Sequence, residues 1–174
     1  VTIRFEWDYG LATIVALVHD IVIVLAVFAI FRLEVTTELV AVILAIIGYS
    51  VDDTIVIFDR IRETLKTINK PHVTKEDYKH IVNESLTAVA LRSLWNTTTT
   101  IIPIVFLLSL GSGAIFTFNF AMLIGLISGA YSSIFIAAQL WLFIRLRRRQ
   151  KKEIVHKVRK KEELDELTVI GIND

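Results

Sequence analysis

Four apolar stretches, residues 11–31, 39–58, 94–110 and 118–144, dominate the chain. Crossing a hydrocarbon layer of roughly 30 Å takes about 20 helical residues, and each stretch approaches or exceeds that length. Blocks of this kind argue against a soluble domain. Within lipid, every backbone amide and carbonyl must be satisfied by the chain itself, which selects helices. A β-barrel would need alternating segments of about ten residues, and these stretches do not alternate. The expected fold class is an all-α membrane protein, a polytopic bundle with four transmembrane helices. Residues 1–10 are a cytoplasmic lead-in, 62–91 a cytoplasmic amphipathic segment and 145–174 a basic, then mixed-charge tail.

Charge sets the direction of threading. With these crossings, both ends and the long middle connection share one side of the membrane. All but one of the 19 Lys and Arg residues fall on that side, the exception being Arg32 beside Glu34 and Glu38. Basic residues are retained on the cytoplasmic side, so both ends are expected there. The outer connections, 32–38 and 111–117, are short enough to make antiparallel neighbours. Gly111-Ser112-Gly113 reads as a turn that uses dihedrals closed to other residues.

In the long connection, Pro71 ends one helix. Thr74-Lys75-Glu76-Asp77 starts another, with Thr74 as its cap and Asp77 three residues on. Tyr78, Ile81, Val82, Leu86 and Val89 then recur at helical spacing, which predicts a surface-lying amphipathic helix leading into the third crossing. The run Arg145-Leu146-Arg147-Arg148-Arg149-Gln150-Lys151-Lys152 reads as a flank at the anionic inner leaflet rather than a nucleic-acid site. Residues 157–166 read as a solvated helix or a disordered segment, and 167–172 as a possible docking end. Residues 1–9 carry Arg4, Glu6 and Asp8 and do not resemble a cleavable leader.

The candidate chemistry lies in acids inside the apolar runs. Charge at membrane depth is expensive and is kept mostly where protons, ions or bound groups are handled. Asp20 lies about 15 Å of helical rise from either end of its run. A carboxyl in a low-dielectric site prefers its neutral form, which makes Asp20 the leading candidate for gaining and losing protons. The alternative is an acid held by hydroxyls from a neighbouring helix, purely bracing the bundle. His19 points about 100° away around the helix, so the two need not touch. In the second run Asp53, Ile57 and Arg60 share a face, as do Asp52 and Asp59. Arg60 either snorkels to the interface or pairs with a carboxylate, and the two adjacent acids could instead only anchor that helix end. The proton-coupling candidates are thus Asp20, Asp52, Asp53, Asp59 and Arg60.

Supporting polar residues lie in the last two runs. Thr97 and Thr98 belong to Asn96–Thr100, whose hydroxyls either look into the bundle or bond their own backbone. Gly125 and Gly129 are spaced for close helix approach, with Ser128 and Ser132 as companion hydroxyls; packing is the main role expected, and lining a proton path the sharper one. Gln139 and Trp141 read as interface residues. The chain has no cysteine, which excludes disulfides and thiolate metal sites. It also lacks a metalloprotease His pair, a phosphate-cradling glycine loop and a nucleophile triad. Neither an enzyme nor a cofactor nor a metal is expected.

Several motifs in order carry a resemblance. Arg4-Phe5-Glu6-Trp7, His19-Asp20, Gly48-Tyr49-Ser50-Val51-Asp52-Asp53-Thr54, Phe58-Asp59-Arg60-Ile61-Arg62-Glu63 and Gly129-Ala130-Tyr131-Ser132-Ser133-Ile134 together resemble the bacterial protein-export membrane protein SecF, or the SecF half of a fused SecDF. That family has six membrane helices, with a large extracytoplasmic domain between the first two. The resemblance places this chain just after the second helix, without the domain that grips the emerging preprotein. It implies a resistance-nodulation-division type of bundle in the bacterial cytoplasmic membrane. It also implies SecD, the SecYEG translocon, YajC and unfolded preprotein as partners, with the proton gradient as energy source after SecA-driven translocation. Asp20 matches the family's intramembrane acid, and Asp53, Asp59 and Arg60 match its central motif. The family usually has Asn where Asp52 stands. Two other function classes remain open on the residues alone: a small-molecule or lipid exporter, and a membrane scaffold that transports nothing.

Overall fold

The structure, a computed structural model, describes residues 2–67, 73–111 and 113–150; for 2–6 and 114 it describes the helical backbone alone. The break expected at Pro71, the central Ser112 of the glycine turn and the readings made for 157–166 and 167–172 lie outside the described residues. The helices are α1 (Thr2–Phe31), α2 (Thr37–Thr67), α3 (Lys75–Leu110) and α4 (Gly113–Ser132), followed by a π-helical turn at Ser133–Ala137. The chain divides into two units, Val1–Leu142 and Phe143–Asp174. Residues 143–150 of the second are helical, and the Arg147 guanidinium sits 4.3 Å from the Phe143 ring centroid.

Among the described residues, four helices are long and apolar enough to cross a membrane. Their boundaries differ from those read in the sequence. α1 begins at Thr2, so the expected lead-in is already helical. α2 runs on to Thr67 and takes in the start of the segment assigned to the middle connection. The amphipathic stretch and the third crossing form one helix, continuous through Pro103, rather than a surface helix joined to a separate span. The physical reason is that its apolar face does not lie on lipid: Tyr78, Ile81, Val82, Ser85 and Val89 are buried inside the protein. Pro103 removes one amide donor, a loss that membrane helices tolerate when neighbouring groups compensate.

Capping fixes where α3 starts. The Thr74 hydroxyl accepts from the Asp77 amide at 3.2 Å, and the Asp77 carboxylate accepts from the Thr74 amide at 2.8 Å. This reciprocal pair satisfies two donors that the first helical turn leaves open. The two short connections follow different rules. At the end of α1 it is Arg32, not a glycine, that takes the left-handed conformation, with φ of 52°. The Leu33 amide then reaches back to the Phe28 carbonyl at 2.9 Å, closing a Schellman-type end. Gly111 is not left-handed; its φ is −80°. Glycine is needed there for space, because a Cβ would stand 2.6 Å from the Leu107 carbonyl oxygen.

α4 packs against α1, α2 and α3, while α2 packs against α1 and α3. The inward face of α1 is a stripe of Tyr9, Ala12, Ala16, Asp20, Val24 and Phe28, and small residues on it let neighbouring backbones approach. Its outward face, with Leu11, Ile14, Val18, Val22 and Leu25, is exposed and apolar. That pattern suits a helix whose solvent is hydrocarbon. Val24, Phe28, Leu39, Val42, Ile46 and Ala121 form an apolar cluster between α1, α2 and α4. Trp141, read from sequence as an interface residue, is fully buried. It stacks on Tyr9 at 5.2 Å and meets the edge of Tyr78 at 6.4 Å, because α1 and α3 both extend far enough to cover it.

Candidate functional site

Asp20 is 0% exposed, and its carboxyl is the point where three helices meet. Ser50 of α2 donates to its Oδ2 at 2.9 Å. From α4, Ser132 donates to the same oxygen at 2.8 Å, and Ser128 donates to Oδ1 at 2.8 Å. Ser128 and Ser132 are one helical turn apart, so they straddle the two oxygens from one face. Gly129 lies between them, and a Cβ there would stand 3.4 Å from the Ser50 Cβ and 3.8 Å from Asp20 Oδ2. Absence of a side chain at this position is what lets α4 come close enough for its serines to reach.

His19 does touch the aspartate. Its Nδ1 lies 3.3 Å from Oδ1, and the imidazole remains about one-third exposed. Just beyond, the Thr54 hydroxyl donates to the Ser50 carbonyl at 2.7 Å and lies 3.0 Å from the Ser133 hydroxyl. The π-helical turn starts at Ser133. Neighbouring serines, 132 and 133, thereby both face inward, one on Asp20 and the other on Thr54. Single π turns of this kind often sit at functional positions.

A second buried carboxyl, Asp53, lies on another face of α2. Ser93 of α3 donates to its Oδ2 at 2.5 Å. Thr97 donates to the Ser93 carbonyl at 3.0 Å and accepts from the Tyr49 hydroxyl at 3.2 Å. The arrangement is a polar seam between α2 and α3. Asp53 has one hydroxyl donor among the described residues, whereas Asp20 has three. Hydroxyl donors that fully occupy a carboxylate hold it in place.

The remaining candidates are separated from these clusters. Asp52 and Asp59 are exposed on the outside of α2. Arg60 pairs with Glu63 on its own helix at 2.7 Å, not with a carboxylate across the interface. Thr98 is exposed and bonds the Leu94 carbonyl at 2.7 Å. Gly125 faces Ile46, whose side chain occupies the space a Cβ would need. Sequence reasoning did not single out Ser50, Ser93, Tyr49, Thr54 or Ser133 as site residues. Serines in membrane helices were the available signal, but their partners are 30 to 112 residues away in sequence, as for Asp20 with Ser50 and Ser132.

An exterior rich in exposed apolar side chains, with two carboxyls closed by hydroxyls at the helix interfaces, defines a multi-pass helical membrane protein. Residues 1–147 match the family described as protein export membrane protein SecD/SecF, C-terminal. The chain belongs to that family. It is 50% identical over 151 residues to the protein translocase subunit SecF of Alicyclobacillus acidocaldarius, covering 87% of this chain and 48% of that protein. It is 47% identical over 142 residues to the SecDF subunit of Bacillus subtilis, covering 82% of this chain and 19% of that protein. A crystal structure of SecDF in a super-membrane-facing form superposes with a TM-score of 0.77 at 34% identity, over 88% of this chain and 20% of that one. A second, of the translocon-associated SecDF from Thermus thermophilus, gives 0.74 at 35% identity, over 83% of this chain and 20% of that one. The chain spans about half the length of the SecF relative and about a fifth of the fused ones. It is a bacterial multi-pass membrane protein.

Proposed function

We propose that this chain is the membrane-embedded half of an auxiliary subunit of the Sec translocase, which uses the proton motive force to assist late steps of preprotein export. The observation that carries the reading is the pair of buried carboxyl clusters at membrane depth in a chain of the SecD/SecF family. In this reading the helices form a resistance-nodulation-division type of bundle that works with SecD and SecYEG, and with YajC nearby. Segments outside this chain engage the unfolded preprotein. The chain needs no bound cofactor, because the proton gradient supplies the energy.

Within the site, the two acids divide the work. Asp20, tied by Ser50, Ser128 and Ser132, braces α1 against α2 and α4. Asp53, with Ser93 as its single hydroxyl donor among the described residues, is the better-placed group for proton exchange, and its seam would respond to any sliding of α2 against α3. In reconstituted vesicles, the full-length protein together with SecD and SecYEG should increase completed preprotein when a proton gradient is imposed. An equal gain with the gradient collapsed would sink the proton-driven reading while leaving a scaffold role standing.

Orientation follows from the basic residues, with both ends of the segment cytoplasmic. Single cysteines introduced as Arg32→Cys or Ser112→Cys should react with an impermeant maleimide in intact cells, and Lys79→Cys only after permeabilisation. The reverse pattern would overturn the orientation.

A further inference from the structure

A cleft of about 660 Å³ lies between the C-terminal part of α2 and the first half of α3. Its basic groups are Arg60, Arg62, Lys66 and Arg92, its acids are Asp59 and Glu63, and Val56, Ala88 and Val89 give it an apolar wall. Two of the cations are spoken for. Arg60 pairs with Glu63 at 2.7 Å. Arg62 lies 3.9 Å from Asp59 and 5.4 Å from the Tyr9 ring centroid. Among the described residues no carboxylate pairs with Lys66 or Arg92. Two exposed cations, one from each helix, therefore face one cleft with no carboxylate partner among the described residues.

The position of the cleft narrows the ligand. Arg60, Arg62 and Lys66 follow the apolar run 39–58, and Arg92 precedes the run 94–110, so the cations stand at headgroup level rather than in hydrocarbon. One turn deeper on α3, Trp95 is 63% exposed and Leu91 and Leu94 are exposed beside it. Trp at this depth marks a membrane interface. A small soluble anion would use the cations and leave the apolar surface idle. A phosphodiester carrying acyl chains uses both, because guanidinium groups bind phosphate oxygens directly.

We propose that this cleft holds the headgroup of an anionic membrane phospholipid, with its phosphate between Lys66 and Arg92 and its acyl chains along Trp95, Leu91 and Leu94. The site rests on the chain lying in a membrane and not on which acid carries protons, so lipid retention tests it separately from proton coupling. Full-length protein with its SecD partner would be purified in nanodiscs of mixed phosphatidylcholine and phosphatidylglycerol, and the retained lipids counted by native mass spectrometry. The double variant Lys66→Gln/Arg92→Gln should lower retained phosphatidylglycerol by about tenfold, and Lys66→Gln alone, at an exposed position, by about threefold. The control Lys75→Gln/Lys79→Gln removes the same charge from exposed positions at the start of α3 and should lower it by no more than about twofold. Unchanged retention in Lys66→Gln would show that Lys66 holds no lipid, and equal losses from the two double variants would show that charge alone attracts it; either result would overturn the site.

Discussion

An Asp53→Asn variant of the full-length protein is expected to insert and to bind SecD, yet to lose most of the export gain produced by a proton gradient. The substitution keeps the volume and still accepts from Ser93, whose hydroxyl now lies 2.5 Å from Oδ2, but it cannot titrate. Asp20→Asn should behave differently. Three serine hydroxyls donate to that carboxyl, and a carboxamide offers one acceptor oxygen in place of two. At least one buried serine must turn away or go unsatisfied, at a cost of about 1–3 kcal/mol. The expected result is a lower melting temperature and less assembled complex, with a gradient response that persists in the fraction that folds. Asp52→Asn, at an exposed position, should change neither. Preprotein completion measured with and without the gradient, at matched complex levels, separates these outcomes. If Asp20→Asn melts like the parent and abolishes the gradient response while Asp53→Asn retains it, the two roles are reversed.

The second large effect is expected at Gly125. A side chain there would overlap Ile46 of α2, and the position lies one turn before Gly129, which admits Asp20 and Ser50. Gly125→Leu cannot be absorbed by a rotamer change alone, because Ile46 is itself buried within the apolar cluster of α1, α2 and α4. Overpacking of a tight interface costs about 1–3 kcal/mol or more, and separation of α4 would also withdraw Ser128 and Ser132 from Asp20. Accumulation in the membrane and thermal unfolding should both fall sharply, whereas Ile127→Leu, at an exposed position, should leave them near the parent. Ile46→Ala in the Gly125→Leu background would open the space again and restore part of the loss. Equal behaviour of the Gly125 and Ile127 variants would remove the close-approach role.

The number of helices was legible in the residues, because a long apolar run in lipid has a single way to satisfy its backbone. The cap of α3 was legible as well, since Thr74 and Asp77 are close in sequence and their bonds are local. Helix ends were not. Tyr78, Ile81 and Val89 read equally well as a face lying on a membrane surface or as a face buried against other helices, and the periodicity is the same in both cases. Trp141 was misplaced for a related reason: its depth along the helix was clear, but Tyr9 and Tyr78 cover it only because α1 and α3 extend alongside.

The acids follow the same division. Sequence alone determined that Asp20, Asp52 and Asp53 stand in costly positions, since depth along a helix is a one-dimensional property. Which of them is enclosed depends on helix rotation and on the partner presented by the next helix, and these are settled only by packing. Asp52 and Asp53 are adjacent, yet about 100° of helical turn sends one to the exterior and the other to Ser93. Asp20 became a junction because Gly129 leaves room for α4 and a π turn aims consecutive serines inward. Those are contacts between residues far apart in the chain, and no local spacing encodes them.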